Sequence, residues 1–241
     1  MKTIYDFSFK NKKALIRVDF NVPLNKDLKV TDVTRIEAAK PTIMKILEDG
    51  GSVVLMSHLG RPKGIDATYS LKHIVEKIAQ VIGVQVKFVD DCVGEKVIEA
   101  VRNLQNGEIL LLENLRFYAE ETAGDEGFSE QLSKNGDIYV NDAFGTAHRA
   151  HASTTIVAKY FSENKCFGSL LAKEIESIDK VLNTSEKPVL AILGGAKVSS
   201  KITVIENILD KVDHLIIGGG MTFTFVTVSY THLTLPTRSY V

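Results

Sequence analysis

The chain has 241 residues, 44% of them hydrophobic and 24% charged, with a formal net charge of −1. That length allows one large or two modest domains with a real core, and the charge leaves no basic stripe for nucleic acid or an anionic membrane. No apolar run approaches the length of a membrane span. The N-terminal stretch MKTIYDFSFKNKKALIRV is charged throughout, so no signal peptide is expected. Cys92 and Cys166 lack metal or redox spacing and read as idle thiols of a reducing cytosol.

In chain order, short apolar runs at 14–18, 52–57, 85–89, 109–113, 137–141, 188–193 and 214–217 read as strands. Amphipathic stretches at 35–48, 70–82, 94–103, 129–134, 170–182 and 199–211 read as the helices between them. Continuously apolar strands separated by helices imply βαβ units, hence an α/β fold whose mostly parallel sheet is covered on both faces. The 170–182 helix carries Leu171, Ile175, Ile178 and Leu182 on one stripe and ends in a polar break before Pro188, where a new βαβ begins. The expected organisation is a first α/β domain at 1–169, a connector at 170–187 and the first βαβ of a second domain at 188–227.

Ligands of such sheets sit beyond the C-terminal ends of the strands, and the chemistry-bearing strings lie there. Five of the seven arginines fall in them: Arg17, Arg35, Arg61, Arg116 and Arg149. A planar, forked, permanently charged guanidinium suits a phosphate or carboxylate, so these loops point to a small polyanionic substrate. In RVDFNVP, Arg17, Asp19 and Asn21 share one face if the strand continues, with Val18 and Phe20 toward the core. Taken alone the string reads first as a strand-end turn closed by Pro23, with Asx side chains bonding the backbone. Arg35 opens a helix and is, by itself, an exposed helix arginine or an anion ligand. His58 and Arg61 flank Leu59-Gly60, where glycine lets backbone approach a ligand. His148 and His151 have a spacing that can ligate metal, but no further ligand stands nearby, so capping or phosphate-binding histidines are expected.

GGAKVSSK at 194–201 follows a strand and opens a helix, with Lys197 and Lys201 one helical turn apart. This is a plausible nucleotide-phosphate cradle, although its spacing is not that of a P-loop. The glycines Gly218, Gly219 and Gly220 follow the next strand and can admit a flat base against bare backbone.

Together and in this order, RVDFNVP, TDVTRI, SHLGRP, LLENLRF, DAFGTAHRAHAS and GGAKVSSK resemble the phosphoglycerate kinase family, over the chain up to about residue 226. The resemblance implies Rossmann-like domains joined by a helix, a cytoplasmic monomer, and glycolytic phosphoryl transfer from 1,3-bisphosphoglycerate to MgADP, giving 3-phosphoglycerate and MgATP. It implies that Asp19 and Asn21 contact the glycerate, that His58, Arg61, Arg116 and Arg149 surround its phosphate, and that Arg35 lies near the transferring group. Arg35 and Lys201 would be the catalytic residues, Lys197 and Lys201 would meet the nucleotide phosphates carried with Mg2+, and Gly218, Gly219 and Gly220 would border the adenine. Ser200 stands where many members carry Asp. Two other readings remain open: a binding-only domain for a phosphorylated small acid, and a dinucleotide-dependent oxidoreductase, for which no G-x-G-x-x-G opens the first βαβ.

Residues 228–241 fit neither period, and Val228 to Thr237 read codon by codon like the translated end of a sequencing-library transposase adapter. The expectation is a truncated reading frame with a non-native tail, an intact first domain, a ragged second one and little or no turnover.

Overall fold

The computed structural model describes residues 1–183, 187–195 and 202–229. The apolar runs become β1 (Lys13–Arg17), β2 (Ser52–Met56), β3 (Val86–Phe88), β4 (Ile109–Leu111) and β5 (Ile138–Asn141), and they are joined by β6 (Lys165–Phe167). These form one sheet in the order β3-β4-β2-β1-β5-β6, parallel at every pairing. The helices of this part are α1 (Thr34–Glu48), α2 (Val75–Ile82), α3 (Glu95–Arg102), α4 (Ala119–Ala123), α5 (Glu126–Ser133), α6 (Phe144–Ala147) and α7 (Ser169–Asn183).

Because side chains alternate across a strand, each strand feeds two cores. Ile16, Leu55, Leu111 and Val140 pack with Ile43 and Ile46 of α1 and Ile78 of α2. Leu15, Val54, Leu110 and Tyr139 pack on the other face with Val97 of α3 and Leu132 of α5. A sheet dry on both faces explains why its strands read as unbroken apolar runs rather than as alternations.

The chain leaves β1 toward β2, β3 and β4 on one side, then crosses to β5 on the other. The C-terminal ends of β1 and β5 therefore form the topological switch point, where an open α/β sheet leaves a crevice.

The chain divides into two compact units, Met1–Glu174 and Ile175–Val241, with the division inside α7. The second unit holds β7 (Leu190–Gly194), α8 (Ile202–Leu209), β8 (His214–Gly218) and α9 (Gly220–Ser229), with β7 and β8 parallel.

Several expectations need correction. The 70–82 helix is a 3-10 turn at Leu71–Ile74 followed by α2. The 129–134 helix starts earlier, at Glu126, because the Asp125 carboxylate caps the Phe128 N–H at 2.7 Å. β6 was not anticipated, since three residues among polar neighbours carry no periodicity. The helical pattern does not stop at residue 227: α9 runs through Ser229, while 230–241 lie outside the described residues.

Candidate functional site

β1 stops at Arg17, so the strand does not continue and no extended face runs through Asn21. The chain turns instead. Val18 and Phe20 are fully buried, the Phe20 N–H donates to Ser57 Oγ at 2.8 Å, and Asn21 Oδ1 accepts the Gly60 N–H at 2.8 Å. Asp19 Oδ1 accepts the Asn21 N–H at 3.4 Å. The Asx turn forms, and the bonds that set it leave Asp19 and Asn21 lining a cavity.

The loop after β2 is fixed by the loop after β4. Asn114, fully buried, accepts the N–H groups of Leu59 and Arg116 at 3.2 and 3.0 Å and donates to the carbonyls of Leu59 and Tyr69, both at 2.8 Å. Gly60 has φ +63°, and a Cβ there would sit 2.3 Å from the Tyr69 ring. Conformation and space both demand glycine at this position.

The result is a cavity of about 250 Å³ at the switch point. It is lined by Asp19, Asn21, Arg35, His58, Arg61, Arg116 and Arg149, together with Gly60, Gly145 and Thr146. All seven residues expected to meet the substrate are brought together here.

The cavity is strongly cationic. Arg116 has its pKa lowered first by burial and then by Arg149, with Arg17 and Arg61 adding to the effect and Glu121 opposing it. Its Nε is buried with no hydrogen-bond partner among the described residues. An anion in the cavity relieves that mutual repulsion. Arg35, in the first turn of α1, donates to Asp19 Oδ2 and keeps a half-exposed side chain. His58 is held neutral: burial first, then Arg17, Arg116 and Arg35, drive its pKa down to about 2. Its Nδ1 faces Arg17 Nη2 at 3.2 Å and so accepts, which leaves the ring hydrogen on Nε2. The 3.8 Å approach of Nδ1 to Asp19 Oδ1 is accordingly not an ion pair.

Arg17 does not line the cavity. It is fully buried, and its guanidinium bonds Ser153 Oγ, the Val18 carbonyl and His58. His148 and His151 also part company. His148 Nε2 accepts from Arg149 Nε at 3.2 Å, while His151 turns toward Glu121.

The family model described as phosphoglycerate kinase matches residues 4–234. The chain belongs to the phosphoglycerate kinase family. It is 49% identical to a phosphoglycerate kinase of Porphyromonas gingivalis, over 92% of this chain and 59% of that protein. It is 51% identical to one of Borrelia hermsii, over 95% of this chain and 58% of that protein. Among solved structures, phosphoglycerate kinase from Coxiella burnetii superposes with a TM-score of 0.82 at 36% identity, covering 95% of this chain and 57% of the other. The chain thus spans less than three fifths of the length of these relatives.

Lys197 and Lys201, the candidates for the nucleotide phosphates, and Ser200, where many members carry Asp, lie outside the described residues. Gly218 ends β8 and Gly220 opens α9. Between them Gly219 has φ +67°, and a Cβ on it would come within 3.5 Å of the Gly195 backbone. Met221 N–H donates to Gly195 O at 2.9 Å, so two glycine turns abut as bare backbone.

Sequence reading missed the groups that hold the cavity in shape: Ser57, Asn114, Glu121 and Ser153. Asn114 had a signal, an Asx residue two positions before an arginine at a strand end. Glu121, in a Glu-Glu pair that looks like a solvated helix face, had none.

Proposed function

We propose that the protein performs reversible phosphoryl transfer between 1,3-bisphosphoglycerate and MgADP, yielding 3-phosphoglycerate and MgATP, with a carboxyl group as the acceptor in the reverse direction. The observation that supports this most directly is the convergence of Asp19, Asn21, Arg35, His58, Arg61, Arg116 and Arg149 on one cavity. Arg61, Arg116 and Arg149 grip the substrate phosphate, and His58 donates to it through Nε2. Asp19 and Asn21 take the glycerate hydroxyl and carboxyl end. Arg35 exchanges its Asp19 partner for the transferring group, whose spreading negative charge needs positioning and electrostatic stabilisation rather than a protein nucleophile.

The abutting glycine turns at 195 and 219 support a nucleotide reading, because bare backbone lets a base or phosphate approach closely. Lys197 and Lys201 would hold its phosphates. Bound Mg2+ supplies charge neutralisation on the phosphate oxygens. For a protein of its relatives' length, a cytoplasmic monomer is part of this reading, and no helix among the described residues is long and apolar enough to cross a membrane.

For the chain as it stands, a second reading has its own support: the acid is bound with little or no turnover. The cavity belongs wholly to the first unit, while among the described residues of the second unit Leu190, Ile192 and Ile216 of β7 and β8 are exposed, so these strands are not closed over as those of the first sheet are. Calorimetric titration with 3-phosphoglycerate at two salt concentrations, beside Arg149→Ala, tests the cavity. Saturable binding, weakened by salt and abolished by the substitution, is expected. No binding by the folded chain would sink the assignment. Turnover by chain purified free of host enzyme would rule out the binding-only reading.

A further inference from the structure

Behind the cavity runs a buried hydrogen-bond chain that the reaction scheme does not use. It begins at Glu121 in α4, whose side chain has no solvent exposure. Glu121 Oε1 takes the Ser153 hydroxyl at 2.7 Å, and Oε2 takes the Ser153 backbone N–H at 3.0 Å. Arg17 Nε donates to the same Ser153 Oγ at 2.8 Å. Arg17 Nη1 donates to the Val18 carbonyl, and Nη2 reaches His58 Nδ1 at 3.2 Å. His151, whose Nδ1 is 3.9 Å from Glu121, is too distant to compete for the carboxylate.

Two groups set the bond directions in this chain: the Glu121 carboxylate orients Ser153, and the Arg17 guanidinium that Ser153 holds in place orients His58. An ionised carboxylate only accepts, so the Ser153 proton must point at Glu121. The Ser153 oxygen is then free to accept from Arg17. Arginine has no acceptor, so the His58 nitrogen facing it must be unprotonated, and the ring hydrogen is forced onto Nε2. If position 121 were an amide, its N–H could face Ser153 Oγ and turn the serine proton toward Arg17, setting donor against donor. The fully buried Arg17 would also lose the negative charge at the end of its chain.

We propose that Glu121 is a positioning residue of the anion cavity, acting through Ser153 and Arg17 to hold His58 as the tautomer that donates to a bound phosphate. The effect on ligand binding rests on the phosphoglycerate reading above. The effect on the His58 tautomer does not.

The test is long-range 1H–15N NMR of the histidine rings in the 241-residue chain and in Glu121→Gln, with calorimetry on 3-phosphoglycerate. Wild type should show His58 protonated on Nε2 alone. The variant should show a mixture of tautomers and about tenfold weaker binding, the scale of loss seen when outer-shell partners of metal-bound histidines are removed. A variant that keeps the wild-type tautomer overturns the proposal, as does one with a shifted tautomer and undiminished affinity. If Glu121→Gln fails to fold, Ser153→Ala breaks the next link and carries the same expectation. Nδ1 protonation in wild type overturns the idea without any variant. Wild type that binds no 3-phosphoglycerate, while the tautomer still shifts in the variant, refutes the substrate reading and upholds the positioning role.

Discussion

His58 shows how burial and charge decide a residue's chemistry. Its folded pKa of about 2 lies far below the usual 6.5, with burial the first cause and Arg17 the second. Below about pH 6.5 the unfolded chain takes up a proton that the folded chain refuses, so His58 contributes stability present at neutral pH and lost as pH falls through that window. The loss should approach the order of 1 kcal/mol per pH unit. Urea unfolding between about pH 7 and about pH 5 should therefore show a smaller decline in His58→Gln than in wild type; equal declines would mean that the ring charges in the fold. Arg35 carries a different expectation. It is half exposed and paired with Asp19, so it can be lost without opening the core. In a chain extended to the length of its relatives, Arg35→Ala should cut kcat by about 100-fold or more, on the scale of one lost oxyanion donor, and change KM little. Unchanged kcat would remove its proposed role. The arginine strings were legible in the sequence because arginines gathered at strand ends and helix starts stand out from a background of scattered surface lysine. The inward turn of Arg17 was not legible, since its partners Ser153 and His58 are 136 and 41 residues away.

At the level of elements, the first turn of α7 hangs on a single buried carboxylate. Asp142, just after β5, accepts the N–H groups of Leu170 and Leu171 at 3.0 and 3.2 Å through Oδ1, while Thr42 of α1 takes the Ser169 N–H at 2.8 Å. Burial raises the Asp142 pKa from 3.8 to about 6, offset in part by the Thr42 side chain first and then by the Leu171 and Leu170 N–H groups. Here the sign reverses. Between about pH 4 and about pH 6 the folded state binds the extra proton, so this group favours folding as pH falls and disfavours it as pH rises through 6. Asp142→Asn keeps an oxygen for the two N–H groups and should abolish that dependence. Asp142→Ala should lose about 1 kcal/mol with the cap, read from chemical denaturation near neutral pH. If Asn and Ala behave alike, the cap contributes nothing. Because His58 and Asp142 titrate in overlapping windows with opposite signs, wild-type stability near pH 5 reports neither alone. Strands β1, β2, β4 and β5 were legible because both sheet faces are buried. The cap was not, because Asp142 and Leu170 come together only once β5 and β6 are paired.

At the scale of the molecule, the two units differ in how well they bury their apolar side chains. The first holds both cores on either side of its six-stranded sheet. The second exposes Ile192 at 69%, Phe223 at 54% and Leu209 at 52%, on β7, α9 and α8 respectively. Among the described residues of this unit, two parallel strands and two helices cannot cover both faces of a sheet, and exposed apolar side chains of this kind favour association. At about 25 cal/mol per Å², covering even about 400 Å² offers roughly 10 kcal/mol before association costs. A chain ending at residue 183 keeps all of α7, the Asp142 cap and every residue lining the anion cavity. Analytical ultracentrifugation should find this shorter chain monomeric and the 241-residue chain associating as its concentration rises. Calorimetry should find the same affinity of both for 3-phosphoglycerate, because no group that lines the cavity has been removed. Association of the shorter chain would instead place the sticky surface on α7, where Ile178 and Val181 are exposed. Loss of binding on truncation would show that the cavity takes its shape from residues beyond α7, and the first unit could no longer be treated as a self-sufficient anion-binding domain.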